Sequence, residues 1–259
     1  MKVRVNDIDI HYVIAGRGPC VTLAHSLATD LTLWDDVAAA LAPHFTVLRY
    51  DARGHGRTST PDAPYSFTQL VGDLVGLLDA LKIERTHFVG LSMGGMLGQH
   101  FALAAPERLD RLAIVSSTSR VPPEGKPMWD ERIAIARAQG MQAHVESTLA
   151  RWFTAPYRQS HPEVMARVGA LVAATPVAGF AGWGAAICTL DVTQQLSAVR
   201  APTLVICGAD DPGTPPAANA AIAAAIPGAR LEIIPHASHQ LVIEQAETFN
   251  RLLRDFLAG

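Results

Sequence analysis

The chain opens on alternation. Val3, Val5, Ile8, Ile10 and Tyr12 are apolar and the residues between them polar, with Asn6-Asp7 dividing the run, which predicts a β-hairpin over residues 2–14. Strand-like and helix-like segments then take turns. Cys20-Val21-Thr22-Leu23-Ala24 reads as a short buried strand, Trp34 to Leu41 as a helix stopped by Pro43, and Phe45 to Tyr50 as the next strand, followed by the turn Asp51-Ala52-Arg53-Gly54-His55-Gly56. A helix from about Phe67 to Leu81 carries a wide apolar face of Leu70, Val71, Leu74, Leu77, Leu78 and Leu81. His87-Phe88-Val89-Gly90 is a strand, Met93 to Ala104 the helix after it, and Leu112-Ala113-Ile114-Val115 another strand. Strands alternating with helices imply right-handed βαβ units, hence an α/β fold with a mainly parallel sheet covered on both faces.

The rhythm stops near Ser116. From Pro122 to about Leu196 no segment has strand character, and helix-like pieces over 129–139, 141–152, 161–174 and 180–188 are separated by Gly140, Pro156, Pro162 and Pro176. Such a pause predicts a helical lid, residues 117–191, inserted into a core made of residues 1–116 and 192–259. Alternation resumes with Thr203 to Cys207, a helix over 216–226, Leu231 to Ile234 and a helix over 241–257.

Composition narrows the field. A chain of 259 residues that is 49% hydrophobic and 17% charged suits one globular domain rather than a disordered segment. The formal net charge is −3 and no Lys/Arg cluster stands out, so a nucleic-acid partner is not expected. Three cysteines, Cys20, Cys188 and Cys207, do not suggest a disulfide framework, and no metal-ligand spacing occurs. The first residues lack the apolar stretch of a signal peptide, and no run approaches the roughly 18 apolar residues of a membrane span, so a soluble cytoplasmic protein with no membrane association is expected.

The chemistry concentrates at Gly90-Leu91-Ser92-Met93-Gly94, a G-x-S-x-G nucleophile elbow placed as it must be, after a strand and before a helix. The glycines let strand and helix approach closely, and the turn presents the Ser92 hydroxyl at the sheet edge beside free helix N–H groups. A serine needs a base, and the base an orienting carboxylate. After the strand ending at Cys207 come Asp210 and Asp211, and after the strand ending at Ile234 come His236 and His239, giving the order Ser, Asp, His with two candidates in each loop. His25, His55, His87 and His100 lie before or on the elbow region and fit the base position poorly. An oxyanion hole would take the backbone N–H of Met93 and a second one from the loop His25-Ser26-Leu27, with Leu27 the expected donor.

With these residues the chain resembles the α/β-hydrolase family, and within it the 3-oxoadipate enol-lactonase group, over nearly its whole length. The similarity is carried by His25-Ser26-Leu27-Ala28-Thr29-Asp30 ahead of Trp34, Leu48 to Gly56, Gly90 to Met96, and in the lid by Trp129-Asp130-Glu131-Arg132-Ile133 and Arg151-Trp152-Phe153-Thr154. The resemblance implies an eight-stranded-type sheet, Ser92 as nucleophile, Asp211 as acid because it stands just before Pro212, and His239 as base because it stands five residues before Glu244. It also implies a small ester or lactone substrate, bound with help from Trp129, Arg132 and Trp152, and no metal or organic cofactor. Arg132 would meet a substrate carboxylate. Asp51 and His55 read as a structural turn. The chain departs from the enol-lactonases at His25, where they commonly have Asn, and at Gln240-Leu241-Val242-Ile243, where they have Leu-Ser-Asn; both departures are expected near the pocket and bear on the substrate rather than the chemistry.

The expected reaction is an attack by Ser92 on a lactone or ester carbonyl, giving an acyl-enzyme that water hydrolyses. The same residues would also serve a general carboxylesterase, another lactonase or a cofactor-free perhydrolase, which also carries Ser-Met-Gly-Gly. A non-catalytic ligand receptor on the same core is the reading from a different class.

Overall fold

In the computed structural model, which describes residues 1–62 and 64–259, the opening alternation forms its hairpin. Strands β1 (Lys2–Val5) and β2 (Ile8–Gly16) pair antiparallel, burying Val5, Ile8 and Ile10 and leaving Lys2, Asn6 and Asp7 exposed. The remaining strands are β3 (Cys20–Ala24), β4 (Thr46–Tyr50), β5 (Thr86–Leu91), β6 (Leu109–Val115), β7 (Thr203–Gly208) and β8 (Arg230–Ile234). They form an eight-stranded sheet in the order β1-β2-β4-β3-β5-β6-β7-β8. β2 meets β4 antiparallel, and every pairing from β4 to β8 is parallel. Every residue of β5 and β7 is buried, as expected of central strands covered on both faces.

Because successive strand side chains point to opposite faces, the sheet divides the core in two. Phe88, Leu112 and Ile114 pack on one side with Leu70, Leu74 and Leu78 of α2 (Phe67–Ala80) and Leu97 and Phe101 of α3 (Met93–Ala104). Val89, Ala113 and Val115 face the other side, where α1 (Asp35–Leu41) and the C-terminal helix supply Val37, Phe249 and Leu253. Ser66 starts α2 as the helix cap, its hydroxyl accepting from the Gln69 N–H at 3.2 Å.

Residues 117–191 carry five α-helices: α4 (Lys126–Gln139), α5 (Val145–Trp152), α6 (Ala155–Ser160), α7 (Pro162–Ala174) and α8 (Val177–Ile187). The two ends of the segment meet, since Val121 N donates to Leu190 O and Val192 N to Ser119 O, each at 2.9 Å. Two features differ from the expectation. The helix α6 was not anticipated because Pro156 reads as a breaker, yet it stands in the first turn, where a missing N–H costs nothing. The single helix expected over 241–257 is two, α10 (Leu241–Glu244) and α11 (Ala246–Ala258), broken at Gln245 with φ −129° and ψ 46°. α9 (Pro216–Ala225) follows β7 as expected. Among the described residues no single helix is long and apolar enough to cross a membrane; α7 and α8 meet that test only jointly, and turn through 87° between them.

Candidate active site

Ser92 sits between β5 and α3 at φ 55° and ψ −110°, a left-handed conformation that costs a non-glycine residue about 1–3 kcal/mol. The surrounding bonds hold it there. Ser92 N donates to Val115 O at 2.8 Å, and its carbonyl accepts from Met96 N at 2.9 Å and the Ser117 hydroxyl at 2.9 Å. The flanking glycines are required by space: a Cβ on Gly90 would collide with the Gly94 carbonyl, and one on Gly94 with the Ala24 carbonyl of β3. These contacts explain why the motif reads Gly-x-Ser-x-Gly.

The two loops that offered paired candidates bring one member of each pair together. Asp211 and His239 are buried and face each other, with His239 Nδ1 donating to Asp211 Oδ2 at 2.7 Å, while Asp210 and His236 are exposed. Asp211 Oδ1 accepts from the N–H groups of Gly213 at 2.8 Å and Thr214 at 3.0 Å, and Oδ2 from the Thr214 hydroxyl at 2.6 Å. Burial works to raise the carboxyl's pKa, but the neighbouring His239 and these hydrogen bonds outweigh it, so the group lies below the ordinary carboxylate range. A proton on Nδ1 leaves Nε2 of His239 with a free lone pair. The Trp152 ring lies over His239, centroids 6.1 Å apart and planes 25° apart.

Ser92 and His239 share the wall of a cavity of about 450 Å³, with Leu27, Trp129, Arg132 and Trp152 also lining it. Every expected substrate-binding residue is therefore at the cavity. Neither Leu27 N nor Met93 N has a hydrogen-bond partner among the described residues; Leu27 lines the cavity and Met93 follows Ser92 directly. Of the other aromatic residues of the segment, Phe153, Phe180 and Trp183 are buried in packing and do not line the cavity.

No Asp or Glu side chain lines this cavity among the described residues, whereas three arginines do. Arg120 pairs with Asp191 at 3.5 Å. Arg132 stacks on Trp129, its guanidinium carbon 4.4 Å from the ring centroid, and lies 5.5 Å from that of Phe180. Burial, with the positive charge of Arg151 added, lowers its pKa to about 10. Arg132 is thus half-buried in the wall, not a solvated helix residue beside Asp130 and Glu131.

Sequence reasoning missed three residues. Arg151 was read only as part of a lid motif, yet it lines the cavity and burial lowers its pKa too. Thr214, unremarked in the sequence, binds both Asp211 and, at 3.2 Å, His239 Nδ1. Glu244, used only to mark His239, accepts from Ser238 N at 2.5 Å and from Thr154 N and Oγ1 at 2.7 and 2.8 Å, tying the base loop to the helical segment. His25 and Gln240 do not line the cavity. Their side chains are fully buried behind it, where His25 Nε2 accepts from Ala52 N at 3.0 Å and Gln240 Nε2 donates to Ser26 Oγ at 3.1 Å. These two residues therefore lie beside cavity-lining Leu27 and His239 but not in the cavity wall. Among the described residues no group of three or more His, Cys, Asp or Glu side chains is arranged to hold a metal ion.

Comparison with known proteins agrees with this architecture. The alpha/beta hydrolase fold family model matches residues 19–246. The chain is 33% identical over 247 residues to 3-oxoadipate enol-lactonase 2 of Acinetobacter baylyi, covering 94% of this chain and 91% of that one. The crystal structure of the enol-lactonase from Burkholderia xenovorans LB400 superposes with a TM-score of 0.96 at 39% identity, covering both chains completely. Est816, described as an N-acyl homoserine lactone degrading enzyme, superposes with a TM-score of 0.88 at 31% identity, covering 99% of this chain and 100% of that one. A strained serine between strand and helix, an aspartate–histidine pair across the neighbouring loops and these similarities converge on one assignment: the chain belongs to the alpha/beta hydrolase fold family and is a hydrolase.

Proposed function

We propose that this hydrolase opens a small lactone, or cleaves a small carboxylic ester, through an acyl-enzyme on Ser92, with rings of the 3-oxoadipate enol-lactone type as its best substrates. The observation that carries the reading is the buried Asp211–His239 pair, 2.7 Å apart, whose histidine shares one cavity with Ser92. His239 takes the Ser92 proton on Nε2 as the hydroxyl oxygen attacks the carbonyl, and Asp211 stabilises the imidazolium. The Leu27 and Met93 N–H groups receive the developing oxyanion. The leaving enolate or alkoxide takes the proton back from His239, and water, activated by the same base, releases the acid.

Residues 117–191 act as a lid that sets substrate size, and Trp129 and Trp152 form its apolar wall. Trimming the wall with Trp129→Ala shifts preference toward bulkier acyl or leaving groups, read as relative kcat/KM over an ester series of increasing length.

Arg132 receives a substrate carboxylate. A carboxylate entering this largely apolar cavity needs a cation, and the planar guanidinium can bind both its oxygens. Arg132→Ala is expected to raise KM for an anionic lactone by roughly one to two orders of magnitude, the worth of a charged hydrogen-bonded contact, and to leave a neutral ester nearly unaffected. Equal losses on both would assign Arg132 to support of the lid, and faster turnover of neutral esters by the wild type would remove the anionic substrate. The functional reading as a whole is tested by a panel of lactones and aryl esters, with halide and peroxide added in a parallel set. A preference for peroxide-dependent halogenation, or turnover of only one equivalent, would overturn it.

A further inference from the structure

Behind the Leu27 N–H, two buried histidines exchange hydrogen bonds between neighbouring loops. His25, in the loop after β3, accepts the Ala52 N–H on Nε2 at 3.0 Å and donates from Nδ1 to Ser26 O at 2.8 Å. His55, in the turn after β4, accepts the Ala28 N–H on Nε2 at 3.2 Å and lies 3.3 Å through Nδ1 from Arg53 O. Each loop thus lends the other a ring nitrogen. The rings lie 5.2 Å apart, and Trp183 of α8 packs edge-on against His55 at 6.3 Å.

The backbone shows what this exchange secures. Ala28 has φ 60°, the left-handed region a side chain rarely adopts, and its buried N–H donates to His55, its one acceptor among the described residues. Asp51 Oδ1 takes the Leu31 N–H at 2.8 Å, and Gln240 fixes Ser26 through its hydroxyl at 3.1 Å. Ser26 is tethered through its hydroxyl and Ala28 and Leu31 through their N–H groups, while the Leu27 N–H, between the first two, has no partner among the described residues.

We propose that His25 and His55 are reciprocal positioning residues that hold the loop so that the Leu27 N–H points at the oxyanion. Neither ring touches substrate. Both must stay neutral with the proton on Nδ1, because each Nε2 is an acceptor. The groups around them favour this state for His55: burial, then the neighbouring His25 ring, brings its pKa down to about 3, and burial also lowers that of His25 although Asp51 opposes it. The inference rests on the proposed serine chemistry, since an oxyanion hole has meaning only for that reaction.

The test compares His55→Leu, which removes the acceptor, with His55→Gln, whose side-chain oxygen can reach the place of Nε2. His55→Leu is expected to lower kcat about 10- to 100-fold at nearly unchanged KM, less than the ~10²–10³ for deleting an oxyanion donor outright. The affinity of a boronic acid that forms a tetrahedral adduct on Ser92 should fall by the same factor, and His55→Gln should recover most of both losses. Unchanged boronic acid affinity in His55→Leu, or equal damage in the two variants, would overturn the proposal. Wild-type protein that forms no Ser92 adduct would instead overturn the serine reading, so the two failures are distinct. Should His55→Leu not fold, ¹⁵N-imidazole NMR of the wild type decides: both rings neutral with the proton on Nδ1 from pH 5 to 8 is the expected state, and an Nε2-protonated or doubly protonated ring at either position would sink the idea.

Discussion

Ser92→Ala is expected to fold as the wild type does and to lose roughly 10⁴–10⁶ of kcat, the range found when a member of such a catalytic unit is removed. Folding should survive because the Ser92 hydroxyl makes none of the bonds that hold the elbow; these run through its backbone N–H and carbonyl, which alanine keeps. The unfavourable φ of 55° remains for alanine and is met by the same bonds. Treatment of the wild type with an activated phosphonate followed by mass spectrometry of its peptides should show a single adduct, on Ser92. An active alanine variant, or an adduct on another residue, removes the acyl-enzyme mechanism.

The second large effect separates the paired candidates. Asp211→Asn should cost about 10⁴ in kcat, because an amide in place of the carboxylate favours the wrong histidine tautomer and leaves the imidazolium without a counter-charge. His239→Ala should cost at least as much. Asp210→Asn and His236→Ala should change activity by less than about threefold, since both side chains point to solvent, where substitutions usually have small effects. The measurement is kcat on one substrate for the four variants, with circular dichroism to confirm folding. If Asp210→Asn or His236→Ala is the more damaged of its pair, the roles in that loop must be exchanged. Thr214 offers a finer check: its hydroxyl bonds Asp211 at 2.6 Å, so Thr214→Val should cost far less than Asp211→Asn while acting on the same carboxylate.

Alternation of strand and helix patterns along the chain was enough to place β1 to β8 near their observed positions and to mark residues 117–191 as a run of helices. That legibility has a local cause. A strand with a period of two and a helix with a period of 3.6 are written in neighbouring residues, and the Gly-x-Ser-x-Gly spacing is dictated by contacts within a few residues and the strand beside them. Two local signals point the wrong way. Pro156 reads as a break although it stands in a helical first turn, and the helix expected over 241–257 is interrupted at Gln245, next to a Glu244 carboxylate held by Ser238 and Thr154.

The sequence by itself determined the α/β class, the Gly-x-Ser-x-Gly turn between strand and helix and the two short loops proposed to supply acid and base, because each follows from residues adjacent in the chain. It could not by itself separate Asp210 from Asp211, or His236 from His239, without recourse to resemblance, since neighbours in a loop differ in direction rather than in kind. Only the tertiary structure decided that Asp211 faces His239, that Arg132 and Arg151 enter a cavity with no acidic side chain in its wall among the described residues, and that His25 and His55 pair with the backbone of each other's loops. The physical reason is common to all three. Charge, burial and hydrogen-bond partner are properties of an environment assembled from segments far apart in the chain: His25 and Ala52 are separated by 27 residues, and Gln240 and Ser26 by 214.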